Sequence, residues 1–127
     1  MNTRTVVGLI GPVCVLQCRS KWNAYLRQQG SDLDFQYYRT RTREELELRL
    51  SEMFVLERRG YIVHPEFITL VLPLLDRLDD SAAISKKVDT IVNDGGRLIG
   101  YFFDADVNGA MDARCRLWGG GTREYIA

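Results

Sequence analysis

Apolar and polar positions alternate between two periods along the chain. Thr5-Val6-Val7-Gly8-Leu9-Ile10-Gly11 is a β-branched apolar run closed by Gly11-Pro12, the pattern of a buried strand ending in a turn. From Ser20 to Gln29, Trp22, Tyr25 and Leu26 recur at helical spacing, and Gly30 supplies a stop. Leu33 to Tyr38 alternates and predicts a second strand. Thr42 and Glu45 have capping-box spacing, opening a helix with Leu46, Leu48, Leu50, Met53, Phe54 and Leu56 on its buried side. Gly60 ends that unit, and Tyr61-Ile62-Val63 predicts a short third strand. Pro65 suits a first helical position, with Phe67, Leu70, Val71, Leu74 and Leu75 continuing a helix that Pro73 should kink or shorten.

The last third changes character. Val88-Asp89-Thr90-Ile91-Val92, the turn Asn93-Asp94-Gly95-Gly96 and Arg97 to Phe102 predict a β-hairpin. Asp104 to Arg114 reads as one more helix, and the run Gly119-Gly120-Gly121 cannot continue it. Strands alternating with helices imply βαβ crossovers, so the fold class is α/β. We expect a three-layer α/β/α domain with a mostly parallel, mixed sheet of five or six strands and a late β-hairpin.

Composition narrows the function classes. Within 127 residues, 17 Lys+Arg balance 17 Asp+Glu, so the electrostatic footprint of a nucleic-acid binder is missing. Hydrophobic residues make up 46%, too many for a disordered chain at zero net charge. No apolar run reaches the roughly 18–20 residues that span a bilayer, and no secretory leader is read at the N-terminus. Cys14, Cys18 and Cys115 are an odd number, read as reduced thiols of a cytoplasmic protein. Their spacing with His64 does not suit zinc, so no metal site is expected.

Ligands of open α/β sheets bind beyond the carboxyl ends of the strands. The segments just after the strands are therefore the ones to inspect. Gly8-Leu9-Ile10-Gly11-Pro12-Val13, Trp22-Asn23 and Gly60-Tyr61-Ile62-Val63-His64-Pro65 occur in order. Asp89-Thr90-Ile91-Val92, Gly95-Gly96 and Gly100-Tyr101-Phe102-Phe103-Asp104 follow. In this order and spacing the chain, from about Thr5 to Met111, resembles the N-terminal, substrate-binding domain of the shikimate and quinate dehydrogenases.

The resemblance implies a substrate cleft, and the departures from the family pattern fall within it. Where the family reads S-L-S-P-x-x-H-N, this chain reads Leu16-Gln17-Cys18-Arg19-Ser20-Lys21-Trp22-Asn23, without the two serines that hold the substrate carboxylate. Where the family reads N-V-T-x-P-x-K, the sequence is Tyr61-Ile62-Val63-His64-Pro65-Glu66-Phe67, with Phe67 at the position of the catalytic lysine. V-N-T becomes Val88-Asp89-Thr90, and G-x-N-T-D becomes Gly100-Tyr101-Phe102-Phe103-Asp104. The implied substrate-binding set is thus Leu16, Cys18, Tyr61, Val63, Phe67, Asp89 and Asp104, and Asp104 is the retained family acid. Phenylalanine transfers no proton, and losing such a partner costs on the order of 10²–10⁴ in rate. Two carboxylates in one cleft, Asp89 and Asp104, repel an anion and each other, so the expected ligand is neutral or cationic rather than shikimate.

The resemblance divides the chain into a substrate-binding domain, residues 1–114, and a glycine-rich tail, residues 115–127, with no dinucleotide-binding domain. The family uses NADP or NAD, and no cofactor is expected to be held by these residues. The leading expectation is a shikimate dehydrogenase-like substrate-binding domain without autonomous dehydrogenase activity, taking a small polar metabolite. A second is a homo-oligomeric interaction or regulatory module, a homodimer or a partner covering the face that Phe102, Phe103 and Trp118 would expose. A third is part of an NADP-dependent shikimate/quinate oxidoreductase completed by another domain or chain. Neither nucleic acid nor membrane is an expected partner. Individual residues keep blander readings beside these. Asp104 caps a helix, Asp89 is satisfied by a backbone amide, and His64 starts a helix. Cys18 is packed and inert rather than a low-pKa thiol. Arg39, Arg41 and Arg43 are a solvated loop or a phosphate site.

Overall fold

The computed structural model describes residues 5–13 and 16–119. β1 (Thr5–Gly11), α1 (Leu16–Gln28), β2 (Leu33–Arg39), α2 (Arg43–Val55) and β3 (Gly60–Val63) follow the predicted order. Two 3-10 turns, Pro65–Phe67 and Leu72–Leu74, lead to β4 (Arg77–Leu78) and α3 (Asp80–Ser85). The hairpin of β5 (Thr90–Asp94) and β6 (Arg97–Tyr101) precedes α4 (Met111–Trp118). The strands form one six-stranded sheet in the order β2-β1-β3-β5-β6-β4. β1 runs parallel to β2 and β3, and β4 to β6, whereas β5 is antiparallel to both its neighbours. This is the expected mixed α/β sheet.

Each face of the sheet carries its own core. On one, Trp22 and Leu26 of α1 and Trp118 of α4 pack on Val7, Leu9, Phe35 and Ile62. On the other, Leu46, Leu50 and Met53 of α2, with Phe67 and Val71, cover Ile10, Tyr61, Ile91 and Leu98. Alternate strand residues thus supply opposite layers. The α2 stripe is narrower than expected. Leu46, Leu50 and Met53, at i, i+4 and i+7, face the sheet, while Leu48, Phe54 and Leu56 are 51%, 45% and 49% exposed. Half of the capping box forms as expected: the Thr42 N-cap accepts from the Glu45 N–H (3.1 Å), while Glu45 reaches one residue further back and accepts from the Arg41 N–H (2.7 Å).

The edge of β2 is sealed by a side chain. Asn23 of α1 donates to the carbonyl of Phe35 (3.0 Å) and accepts from its N–H (2.9 Å), using both edge-facing groups of that residue.

Three expected elements change. The helix predicted through Phe67–Leu75 is replaced by the two 3-10 turns, Pro73 lying in the second. The helix predicted from Asp104 to Arg114 begins only at Met111, because Asp104 (φ 58°) and Ala110 (φ 52°) take left-handed conformations that end helical hydrogen bonding. The domain boundary placed after residue 114 falls inside α4, whose Trp118 is fully buried. Trp118 donates from its indole N–H to the Ile91 carbonyl (3.2 Å), and it packs across Gly60, where a Cβ would collide with the indole. A residue expected at an exposed partner face is therefore core. Phe102 and Phe103 are half-buried. Among the described residues no helix is long and apolar enough to cross a membrane.

Gly60→Ala should push a methyl into the Trp118 indole and lower stability by about 1–3 kcal/mol. Urea unfolding reads this as a lower midpoint at unchanged slope, and an unchanged midpoint would refute the packing described.

Candidate functional site

At the carboxyl ends of β3 and β6 the sheet opens into a cleft of about 320 Å³. Its floor and one wall are Val63, His64, Pro65 and Ile68, from the end of β3 and the turn after it. The other wall is Phe102 and the loop residues Asp104 to Val107, with Lys87 and Asp89 between the two. Two other depressions, of about 440 and 400 Å³, share Phe54 and reach residues at the start of β6 and the β5–β6 turn, away from these strand ends.

The loop wall owes its shape to a buried arginine. Arg114 of α4 is fully buried. Its Nη1 donates to the carbonyls of Asp106 (2.7 Å) and Gly109 (2.6 Å), and its Nη2 to that of Ala105 (3.2 Å). Its Nε donates to Thr90 Oγ1 (2.9 Å), and Nη2 stands 3.8 Å from an Asp89 carboxylate oxygen. Asp89 completes the clamp from the other side. Its carboxylate accepts the N–H groups of Phe103 (3.0 Å) and Ala105 (3.2 Å) and the Thr90 hydroxyl (3.1 Å). Burial pulls the Arg114 guanidinium below its ordinary pKa, while Asp89 and then Asp106 push it back up. An arginine starting from so high a value still carries its charge at neutral pH. Trp22 ties the same loop to α1, donating its indole N–H to the Val107 carbonyl (2.7 Å).

This changes the electrostatics expected of the cleft. Asp89 faces it but is matched by Arg114 and three hydrogen bonds, so it is not a free negative charge. Lys87 brings a cation to the wall, its ammonium 5.8 Å from the centre of the Phe102 ring. Asp104 is exposed on the rim, and Asp106, a residue the sequence did not single out, lines the cleft two positions on. Asp106 accepts the N–H of Asn108 (3.0 Å). Asp104 caps no helix, since α4 starts at Met111 after Ala110.

His64 is held in one orientation. Its Nδ1 accepts the N–H of Glu66 (3.2 Å), capping the 3-10 turn, so the neutral ring carries its hydrogen on Nε2. Its approach to β1 requires Gly11, where a Cβ would lie 2.6 Å from the His64 Cβ.

The implied substrate-binding residues therefore separate. Val63, Asp89 and Asp104 line the cleft. Phe67, which the resemblance placed at the family's lysine position, is 4% exposed in the core on the α2 side and does not. Tyr61 is likewise core. It packs on Tyr38 at 5.3 Å between ring centres, and burial drives its pKa far above the ordinary range. Cys18 is buried in α1. Leu16 opens α1, and its side chain and all of Cys14 fall outside the described residues. Burial, then Asp112, pushes the Cys115 thiol up to about 11, which leaves it inert at neutral pH. Among the described residues no three His, Cys, Asp or Glu side chains gather to hold a metal ion. Lys87 and Arg114 were missed. The signal for Arg114 was its spacing of four from Trp118, which puts both on one helix face. Lys87 carried no signal beyond adjoining Val88-Asp89.

The clamp predicts a stability effect. Arg114→Met should cost about 3–5 kcal/mol, because it leaves Asp89 buried without its counter-ion and three carbonyls without donors. A loss under 1 kcal/mol in chemical denaturation would contradict the clamp.

No family model matches the chain. A curated relative, the shikimate dehydrogenase (NADP(+)) of Desulforamulus reducens, is 35% identical over 77 residues, 60% of this chain and 26% of that protein. Among solved structures, shikimate dehydrogenase from Aquifex aeolicus superposes with a TM-score of 0.72 at 27% identity, covering 80% of this chain and 38% of that one. Shikimate 5-dehydrogenase from Listeria monocytogenes, in complex with shikimate and NAD, gives 0.73 at 25% identity, covering 92% and 39%. The chain thus spans well under half the length of these relatives. In sequence and in fold it resembles a part of the proteins of the shikimate dehydrogenase family.

Proposed function

We propose that these residues form a binding domain for a small polar metabolite, built on the substrate-binding fold of shikimate dehydrogenase-like proteins and without dehydrogenase activity of its own. The observation that carries this reading is the cleft itself. It lies beyond the strand ends where open α/β sheets take ligands, its volume is at the small end of the roughly 300–1,000 Å³ range of ligand sites, and a buried polar clamp shapes its wall. The absence of activity rests on Phe67. A lysine there would transfer a proton in the family, whereas here an aromatic ring is packed in the core. Asp104 is on the rim with no described side chain to orient it as a base. Residues 5–119 also contain no G-x-G-x-x-G spacing to cradle a dinucleotide pyrophosphate, so no nicotinamide step is assigned to them.

Within the cleft the chain's own groups bind and orient. Val63, Ile68 and Phe102 exclude water from an apolar body. His64 Nε2–H and the Lys87 ammonium donate, and Asp104 and Asp106 accept.

Thermal unfolding of the 127-residue chain with polyols, hydroxy acids and amines tests the reading. A ligand at ten times its Kd should stabilise the fold by about 1.4 kcal/mol, which raises the Tm by several degrees. Ala105→Trp, which adds bulk at a cleft-lining position, should abolish that shift, and shikimate with NADP should give no reduced cofactor. No shift with any ligand class, or one that survives Ala105→Trp, would overturn the binding reading. Turnover of shikimate would overturn the absence of activity.

A further inference from the structure

Charge on the walls of the cleft narrows the ligand class further, an inference that rests on the cleft being a binding site. Its ionic side chains divide into one that is spent and others that are available. Asp89 is spent, since Arg114 matches its charge and the Phe103 and Ala105 N–H groups occupy its oxygens. Lys87 is different. Among the described residues its ammonium has no carboxylate within 4.0 Å, and only the face of Phe102 lies beneath it. Asp104 has no described cation within the same limit, although it lines the same cleft. The fold thus sets a cation and a carboxylate on one cavity without letting them pair.

Asp104 stands at a left-handed turn of the loop. Its φ is 58°, a region that Asp enters more readily than most non-glycine residues. The contacts on either side are the Phe103 and Ala105 N–H groups held by Asp89. The same cleft also has an apolar lining, from Val63, Ile68 and Phe102.

We propose that the cleft selects a small zwitterion with a short apolar body, of the α-amino-acid type. Its carboxylate lies toward Lys87 Nζ and the His64 Nε2–H, and its ammonium lies toward Asp104, with Asp106 beside it. A simple anion such as shikimate gains Lys87 but meets the two rim carboxylates. A simple amine gains the carboxylates but meets Lys87. Only a molecule bearing both charges has a favourable partner at each end.

Isothermal titration of the whole chain with L-serine, L-leucine and L-phenylalanine as zwitterions, shikimate as the anion and n-butylamine as the cation tests this. At least one of the three amino acids should bind more tightly than either single-charge probe. Lys87→Met and Asp104→Asn should each weaken that amino acid about tenfold, the effect of removing one charge-assisted contact. Both side chains are exposed, so neither variant should change the Tm of the free protein. The inference is overturned if no amino acid binds, if shikimate or n-butylamine binds at least as tightly, or if neither substitution weakens the amino acid. Binding of a single-charge probe, or of a polyol in the thermal screen, would then leave the cleft reading standing. Silence from every probe in both experiments would remove both.

Discussion

The guanidinium of Arg114 stands where β5, the loop after β6 and α4 meet, and the cleft exists because of what it holds. A fully buried charge is tolerated only when it is matched and hydrogen-bonded. Here Asp89 supplies the match, and Thr90 with three loop carbonyls supplies acceptors. The bonds run to the backbone of residues 105–109, a stretch with no regular secondary structure of its own. Without the pair that loop would have unpaired polar groups facing a protein interior. With it, the loop becomes a fixed wall.

The rest of the site follows from this constraint. The Asp89 carboxylate is drawn inward to Arg114, so the cleft is less negative than a count of its acids suggests. Gripped by Asp89 at Phe103 and Ala105, the loop makes a left-handed turn at Asp104 between them and carries two carboxylates to the rim. Lys87 faces them from the segment that delivers Asp89 to β5. Across the cleft His64 is fixed independently, by Gly11 behind it and by the Glu66 N–H on its Nδ1. Phe67 meanwhile turns into the core beneath the 3-10 turn. There it strengthens packing against Ile10, Tyr61 and the α2 residues rather than lining the cleft.

Much of this was legible in the sequence where local pattern decides structure. The β-branched run at Thr5–Gly11, the alternation at Leu33–Tyr38, the Thr42/Glu45 box and the Asp94-Gly95-Gly96 turn each state their conformation within a few residues. They give the α/β class and place the strand ends. Where structure is set by contacts distant in sequence, the pattern misleads. Asp104–Ala110 reads as the start of a helix, although Asp104, Asp106, Asn108 and Gly109 are turn-formers, and its backbone is instead tied to Asp89 and Arg114. Trp118 sits beside a glycine run and reads as tail, yet it fills the space left by Gly60. The same limit explains the site. Val63 and Asp104 were found because they end or follow strands, and Asp89, which immediately precedes β5, through the resemblance at Val88-Asp89-Thr90. Phe67, Tyr61 and Cys18 follow or adjoin the same elements but point into the layers, and only packing reveals which way a side chain turns.

The Arg114–Asp89 clamp holds the cleft wall rigid, and amide hydrogen exchange at Phe103 and Ala105 measures that most directly. Both N–H groups lie in an irregular loop and are bonded only to the Asp89 carboxylate. If the clamp is as described, they exchange slowly, and in the Arg114→Met protein they exchange far faster than amides of β1 in the same sample. Exchange at the rate of an open loop in the unmodified protein, or protection untouched by Arg114→Met, would contradict it.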